Sequence, residues 1–317
     1  MPGVPARVHH RRMSTTPAPL PPGLRTRTLT LDDAAAVADL VRAEETVDLG
    51  APEVDVEDIR ADWLRPSYDL ASSAVGVEDP AAGGRLVAYV DHAGDDVAYA
   101  AVDPAHQGRG IGTWLAGWVQ QRARERGATR VGSQVPQDSA ADRLMAALGY
   151  RVRWTAWDLE LPEGVTMPAA PLAAGHTLRD ADPADREAAW TLLEDCFLEW
   201  AERPRQPLAD FGARVWDREG HQPWNLRLVH DADGVLVGAT HVHLAGGGGY
   251  VAKVGVRRDR RGQGLAAAML VDAFALAREH GATRCYLSTD SRTGALGLYE
   301  KVGMVVSSTW VNRAIDL

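Results

Sequence analysis

The run 261–266 combines glycines with cationic residues, as an anion site requires. It follows a valine-rich stretch that ends at Val256 and precedes an apolar periodicity typical of a helix. The amides of a first helical turn have no intrahelical acceptor, the helix dipole adds partial positive charge, and glycines let a phosphate approach the backbone. The expected ligand is a pyrophosphate. Four nearby cations either raise the local potential or are ordinary solvated charges: Arg257, Arg258, Arg260 and Arg261.

The same glycine run occurs twice in the chain. Residues 107–112 repeat the pattern of residues 261–266 at an offset of 154 positions, and matched residues follow each run. The chain therefore contains two homologous units in tandem. A residue needed only for folding is expected in both units, whereas one needed for catalysis can survive in one unit alone.

Two other phosphate motifs are excluded by the residues at the runs. A P-loop ends in Gly-Lys-Ser/Thr, and neither run has that ending. A dinucleotide fingerprint needs wider glycine spacing and an acidic residue about 20 positions further on. Arg130 and Arg284 lie near that distance instead. A nicotinamide site is therefore disfavoured.

Each unit shows the same order of predicted elements: a strand and a helix, two antiparallel central strands, the glycine run, a long helix, and then strand, short helix and strand. This order predicts a mixed α/β fold built twice, each copy a mostly antiparallel twisted sheet flanked by helices. We divide the chain into a disordered leader at 1–22, an N-terminal domain at 23–160, a Pro-rich linker at 161–174 and a C-terminal domain at 175–317.

Composition restricts the partners and the compartment. A net charge of −9 argues against a general affinity for nucleic acid. The two cysteines, Cys196 and Cys285, have no metal-ligand spacing, so we predict no metal site and a reducing compartment. No apolar run approaches the roughly 20 residues that span a bilayer, and the first residues lack a secretory signal. We expect a cytoplasmic protein that does not bind membranes.

The glycine runs and segment 295–304 together resemble the GCN5-related N-acetyltransferase (GNAT) family. The pattern Gln/Arg-x-x-Gly-x-Gly/Ala after a valine-rich strand is similar to that family's acetyl-CoA signature, and segment 295–304 to its later helix motif. The resemblance spans each half from the central strand nearly to the C-terminus. It implies two tandem GNAT-like domains with acetyl-CoA as co-substrate.

The resemblance also implies roles for individual residues in the second half. The end of the central strand would pair with the pantetheine arm, and the amides after it would hold the pyrophosphate. Tyr299 would protonate the departing CoA thiolate, which is reasonable because a phenol near pKa 10 can deliver a proton as charge builds on sulfur. The residues implied to bind the cofactor are Val254, Val256, Arg261, Gly262, Gln263, Gly264, Leu265 and Ala266.

The base that activates the acceptor amine is less evident. A lysine-like amine near pKa 10.4 is mostly charged at pH 7, so a proton must be removed before attack. Related enzymes often carry a carboxylate at the position of Tyr250, and this chain has none there. His241 and His243 alternate on the adjacent strand and would face one side together. The candidate bases are therefore His241, His243 and Tyr250, although a structural role for each histidine remains an alternative.

The two halves are unequal in chemistry. The 154-residue offset places Met145 opposite Tyr299, and a thioether cannot donate a proton. We therefore predict a degenerate first half, although Asp96 stands where a carboxylate base is often found and keeps an active first half open. The first half retains the glycine turn as a candidate second CoA site. Its residues are Val102, Gln107, Gly108, Arg109, Gly110, Ile111 and Gly112.

The favoured function is transfer of an acetyl group from acetyl-CoA to a primary amine, chiefly in the C-terminal domain. The alternative is a CoA-binding or partner-binding tandem module without catalysis, because a fold does not guarantee activity. The expected acceptor is a small-molecule or peptide amine. Its identity and the oligomeric state are not determined by the sequence.

Overall fold

The computed structural model describes residues 19–317. Residues 1–18 of the predicted leader therefore lie outside the described residues. The first half contains α1 (Ala34–Leu49), α2 (Val56–Trp63), α3 (Leu70–Ser73), α4 (Ile111–Glu125) and α5 (Ala140–Ala147). Its strands are β1 (Arg25–Arg27), β2 (Ala74–Asp79), β3 (Arg85–Gly94), β4 (Val97–Val102), β5 (Arg130–Pro136) and β6 (Arg151–Leu161).

The second half repeats this order. Its helices are α6 (Arg186–Leu198), α7 (Leu208–Arg214), α8 (Leu265–Glu279) and α9 (Leu296–Lys301). Its strands are β7 (Thr177–Asp180), β8 (Leu226–His230), β9 (Leu236–Ala245), β10 (Gly248–Val256), β11 (Arg284–Asp290) and β12 (Val305–Asp316). Within residues 19–317, no helix has both the length and the apolar character needed to cross a membrane.

The twelve strands found in residues 19–317 form one continuous sheet. Their order is β1-β2-β3-β4-β5-β12-β6-β11-β10-β9-β8-β7. Neighbours are antiparallel except for the pairs β4–β5 and β10–β11. The predicted mixed, mostly antiparallel sheet flanked by helices is confirmed.

The two halves exchange their last strands. Strand β12 of the second half lies between β5 and β6 of the first, with Val311 opposite both Val135 and Thr155. Strand β6 of the first half in turn pairs with β11 of the second, with Leu159 opposite Leu287. Each half therefore completes the sheet of the other, and the halves share one hydrogen-bonded framework.

Helices cover both faces of the sheet in each half. In the second half, α8 buries the predicted apolar stripe, including Leu265, Met269 and Phe274, against strands β9 to β11. On the opposite face, Leu193 of α6 and Phe211 of α7 are fully buried against the same sheet. This two-sided packing holds the ends of the central strands in place.

Candidate active site

A cleft opens where strands β10 and β11 diverge. The two strands pair from Gly248 opposite Arg284 to Val251 opposite Leu287, and no further. A bulge follows in β10, which shifts its register against β9 between Val251 and Lys253. The cleft has a volume of about 540 Å³ and is lined by the ends of both strands. A strand edge without a partner leaves backbone amides and carbonyls available to a ligand.

The glycine turn closes one end of this cleft. Gly262 and Gly264 have φ angles of +76° and +79°, and no atom lies within 4 Å of an added Cβ at either position. Glycine is therefore required here for the backbone conformation. Helix α8 begins at Leu265, and its first backbone bond runs from the Ala268 amide to the Gly264 carbonyl over 3.0 Å. The amides that precede Ala268 in the first turn therefore have no intrahelical acceptor, as an anion site requires.

Three of the four arginines near the turn, Arg257, Arg260 and Arg261, are paired with carboxylates. Arg261 Nε donates to the Val256 carbonyl over 3.1 Å, and its guanidinium forms a bidentate pair with Glu199 at 2.7 and 2.9 Å. Arg260 pairs with Asp231 at 3.0 Å. Arg261 thus joins the turn to the strand end, and the backbone amides and the exposed Arg258 are left for an anion. Of the residues predicted to bind the cofactor, Gln263 is exposed and the other seven line the cleft.

Tyr299 lies in the wall of the cleft. Helix α9 carries it there, and its side chain is only 6% exposed. Burial raises the pKa of its phenol to about 12. The hydroxyl is therefore protonated at neutral pH and can donate to charge that develops on a leaving group.

The two predicted histidine bases lie together on β9 but are weak bases. Their ring centroids are 5.4 Å apart, and none of their ring nitrogens has a hydrogen-bond partner among the described residues. The nearest carboxylate oxygen to His243 Nε2 in an ion-pair arrangement is Asp58 Oδ1, at 3.8 Å. Burial, then the charges of His243 and Lys253, lower the pKa of His241 well below its usual value. Burial and Arg218 lower the pKa of His243 to about 3. Such imidazoles are neutral at pH 7 but hold an accepted proton poorly.

Tyr250 is the third predicted base. Its hydroxyl donates to Ser288 Oγ over 3.3 Å, and burial raises its pKa above the usual value. A protonated phenol cannot accept a proton without first losing its own. Tyr250 therefore contributes a hydrogen bond to Ser288, which itself lines the cleft.

The carboxylate behind Ser288 comes from the other half of the chain. Ser288 Oγ donates to Asp158 Oδ1 over 2.5 Å, and Ser308 Oγ and the Trp310 indole donate to Asp158 Oδ2, the former over 2.6 Å. Asp158 lies on β6, is 6% exposed, and reaches this position only because β6 is exchanged. Sequence reasoning missed it, because a search within the second half could not find a residue supplied by the first.

Lys253 is a second functional candidate that the sequence analysis missed. It follows the bulge in β10, lines the cleft, and has Nζ 5.0 Å from the centroid of the Phe197 ring. Burial, followed by the charge of Arg214, lowers its pKa to about 8. A lysine in this state exchanges protons near neutral pH. The bulge that brings it to the cleft has no clear signature in the sequence.

The first half has a comparable cleft. Strands β4 and β5 pair only at Val97 opposite Gly132, and a cavity of about 510 Å³ opens beyond that point. The predicted residues of the second CoA site line this cavity except Arg109, which lies 3.7 Å from Asp79. Met145 lies in its wall, so this cleft has no phenol at the position of Tyr299. Asp96, the carboxylate predicted as a possible base in this half, does not line the cavity and forms an ion pair with Arg153.

Comparison with known proteins gives consistent matches for both halves. The model of the Acetyltransferase (GNAT) family matches residues 36–150 and 186–304. The mycothiol acetyltransferase of Salinispora arenicola is 34% identical over 224 residues, which cover 67% of this chain and 70% of that protein. The mycothiol acetyltransferase of Sanguibacter keddieii is 30% identical over 312 residues, covering 92% and 96%.

Solved structures show the same tandem fold. A GCN5-related N-acetyltransferase from Sphaerobacter thermophilus has a TM-score of 0.74 at 30% identity, covering 94% of this chain and 97% of that one. A tandem GNAT protein from the clavulanic acid biosynthesis pathway has a TM-score of 0.66 at 19% identity, covering 92% and 98%. These matches confirm the prediction of two tandem units with this fold.

Proposed function

The chain belongs to the GNAT family of N-acetyltransferases, which use acyl-CoA donors. On this basis we propose that its second half transfers an acetyl group from acetyl-CoA to a primary amine. The observation that carries this proposal is the cleft between β10 and β11. It has the glycine turn at one end and the protonated phenol of Tyr299 in its wall.

The residues of the cleft suit each stage of the reaction. The backbone amide near Val254 polarises the thioester carbonyl and stabilises the oxyanion that forms when the amine nitrogen attacks the carbonyl carbon. The new C–N bond forms, the C–S bond breaks, and its electron pair stays on sulfur. Tyr299 then donates its proton to the thiolate, giving free CoA and the acetylated amine.

Ser288 and Asp158 are suited to receive the proton that leaves the amine. Ser288 lines the cleft and already donates to Asp158, so it can pass a proton to the carboxylate while accepting one from the amine. His241 and His243 stay in the proposal as neutral neighbours rather than as proton acceptors, because their lowered pKa values make them weak bases.

For the acceptor we propose a mycothiol-related amine first, because the relatives cited above are mycothiol acetyltransferases. Other small-molecule amines and peptide N-termini are the alternatives. We place the reaction in the cytoplasm, in keeping with the two buried, free cysteines Cys196 and Cys285.

The test is an acceptor screen with the full-length protein. Acetyl-CoA is incubated with a panel of amines that includes the mycothiol-related amine, and acetylated products are measured by mass spectrometry together with released CoA. Tyr299→Phe should lower kcat while leaving acetyl-CoA affinity nearly unchanged. Tyr286→Phe is the control, because Tyr286 is also buried but does not line the cleft. Binding of acetyl-CoA without any acetylated product would favour the non-catalytic alternative.

A further inference from the structure

A second cavity lies beside the cleft of the first half. It has a volume of about 360 Å³ and is enclosed by α1, α2 and the central strands β3 and β4. Trp310 of the exchanged strand β12 forms part of its wall. The cavity and the first-half cleft share the lining residues Glu44, Tyr99, Ala100, Ser133, Val135 and Ala141. The two spaces are therefore adjacent.

The lining of this cavity is strongly acidic. Its carboxylates are Glu44, Glu45, Asp48, Asp58, Asp62 and Asp91, and within residues 19–317 its lining includes no lysine, arginine or histidine. Two of the six are neutralised by arginines of the second half: Arg218 donates to Asp58 over 2.8 Å, and Arg214 pairs with Asp62. The other four have no basic partner within 4.0 Å in residues 19–317.

Asp91 is the most informative of these four. It lies on β3, is only 4% exposed, and its Oδ2 accepts one long bond of 3.4 Å from the Trp63 indole. Its Oδ1 has no donor anywhere in the described chain. A buried carboxylate oxygen without a donor is costly and calls for a partner. Burial raises the pKa of Asp91 to about 7 and that of Glu44 to about 8, as expected where positive charge is missing.

The arrangement fits an extended organic cation better than a metal ion. The acidic side chains are distributed around the cavity, and no group of three or more ligands close enough to hold a metal occurs in the described residues. Aromatic side chains lie between them, namely Trp63, Tyr89, Tyr99 and Trp310. Aromatic walls pack against methylene groups and attract ammonium groups.

We propose that this cavity in the first half binds a linear amine with two or more positive charges. The ammonium groups contact the carboxylates that lack a basic partner, including Asp91, and the methylene chain lies against the aromatic walls. This site differs from the proposed acetyl-transfer site in the second half. The first half has Met145 where the second has Tyr299, and binding of such an amine would give it a separate role.

The test is calorimetric titration of the full-length protein with spermidine, without any acyl donor. The wild type should bind one spermidine, and Asp91→Asn should weaken binding by about tenfold or more, because a charge-assisted contact is lost. Asp48→Asn is a second variant, since Asp48 makes no hydrogen bond or ion pair within residues 19–317 and its loss should not disturb folding. Asp316→Asn is the matched control, because that residue is exposed and pairs with Arg130.

Two further measurements distinguish loss of this binding site from unfolding and from a defect in the acetyl-transfer cleft. Asp91→Asn should melt at a higher temperature than the wild type above pH 7, since a buried unpaired charge is removed, so weaker binding cannot be attributed to unfolding. Tyr299→Phe should bind spermidine as the wild type does. The proposal is overturned if the wild type gives no binding heat, if both Asp91→Asn and Asp48→Asn bind normally, or if Mg²⁺ binds as tightly as spermidine.

Discussion

Replacing Asp158 by asparagine tests whether the first half supplies part of the acetyl-transfer site proposed for the second half. The carboxylate accepts from Ser288 at 2.5 Å, from Ser308 at 2.6 Å and from the Trp310 indole. An asparagine keeps one acceptor oxygen, but its NH₂ group replaces the other oxygen and cannot accept from the donors that surround Asp158. At least one hydrogen bond to a charged group is lost, at about 1.5–3 kcal/mol each. The free energy of unfolding should fall by about 2–3 kcal/mol, and thermal melts will show whether the fold survives.

The effect on catalysis should be larger than the effect on folding. Loss of a proton acceptor typically slows a reaction by 10²–10⁴-fold, so we expect kcat/KM at pH 7 to fall by about 100-fold. A lysine-like amine near pKa 10.4 is neutral in roughly 1 molecule in 2,500 at pH 7 and in about 1 in 25 at pH 9. The variant can use only the neutral amine. The ratio of wild-type to variant kcat/KM should therefore shrink steadily as the pH rises.

The assay is initial-rate measurement of acetylated product between pH 7 and 9. Asp180→Asn is the control, since Asp180 lies on the edge strand β7, far from Asp158 along the sheet. A variant that loses the same factor at every pH would show that Asp158 only holds the strands together. If Asp158→Asn kept the wild-type kcat/KM at pH 7, Asp158 would have no part in the reaction.

Three further predictions concern the turns and the buried histidines. Gly264→Ala places a Cβ on a residue with a φ of +79°, which costs about 1 kcal/mol, so KM for acetyl-CoA should rise several-fold. The control is Gly297→Ala in α9, where the backbone is not left-handed and an added Cβ meets no described atom within 4 Å, so KM should not change. If both clefts bind CoA, calorimetry of the wild type should count two sites and Gly110→Ala should remove one. His243 has a pKa of about 3 in the folded protein against 6.5 unfolded, so protonation favours unfolding and stability falls as the pH drops below 6.5. At pH 5 this loss is about 2 kcal/mol relative to pH 7, and urea melts of His243→Gln should lack it.

Local patterns in the sequence predicted the parts of the site that depend on local structure. The apolar stripe on α8 was identifiable from its period, and Leu265, Met269 and Phe274 are buried as predicted. The glycine run predicted a turn before a helix, and Gly262 and Gly264 adopt the left-handed conformation there. These features need only neighbours in the chain to form, so a single sequence contains the information.

Other parts of the site depend on contacts between distant residues. The sequence could not show that Glu199 holds Arg261, because 62 positions separate them. It could not show which last strand pairs with β11, since β6 and β12 have similar patterns and either could occupy that place. The choice of β6 brings Asp158 to Ser288, across 130 positions. A reading of each half by itself therefore missed the carboxylate.

Strand exchange explains why the second half can still need the first half, although the first has Met145 at the position that corresponds to Tyr299. If the two units were independent, the first could lose its cleft and its last strand without effect on the second. In this fold, β6 is the antiparallel partner of β11 along the edge that opens into the second cleft, and it delivers Asp158 there. Removing β6 would expose one edge of β11 and leave Ser288 without its acceptor. The first half is thus constrained by the acetyl-transfer site proposed for the second, even though Met145 stands where the second half has Tyr299.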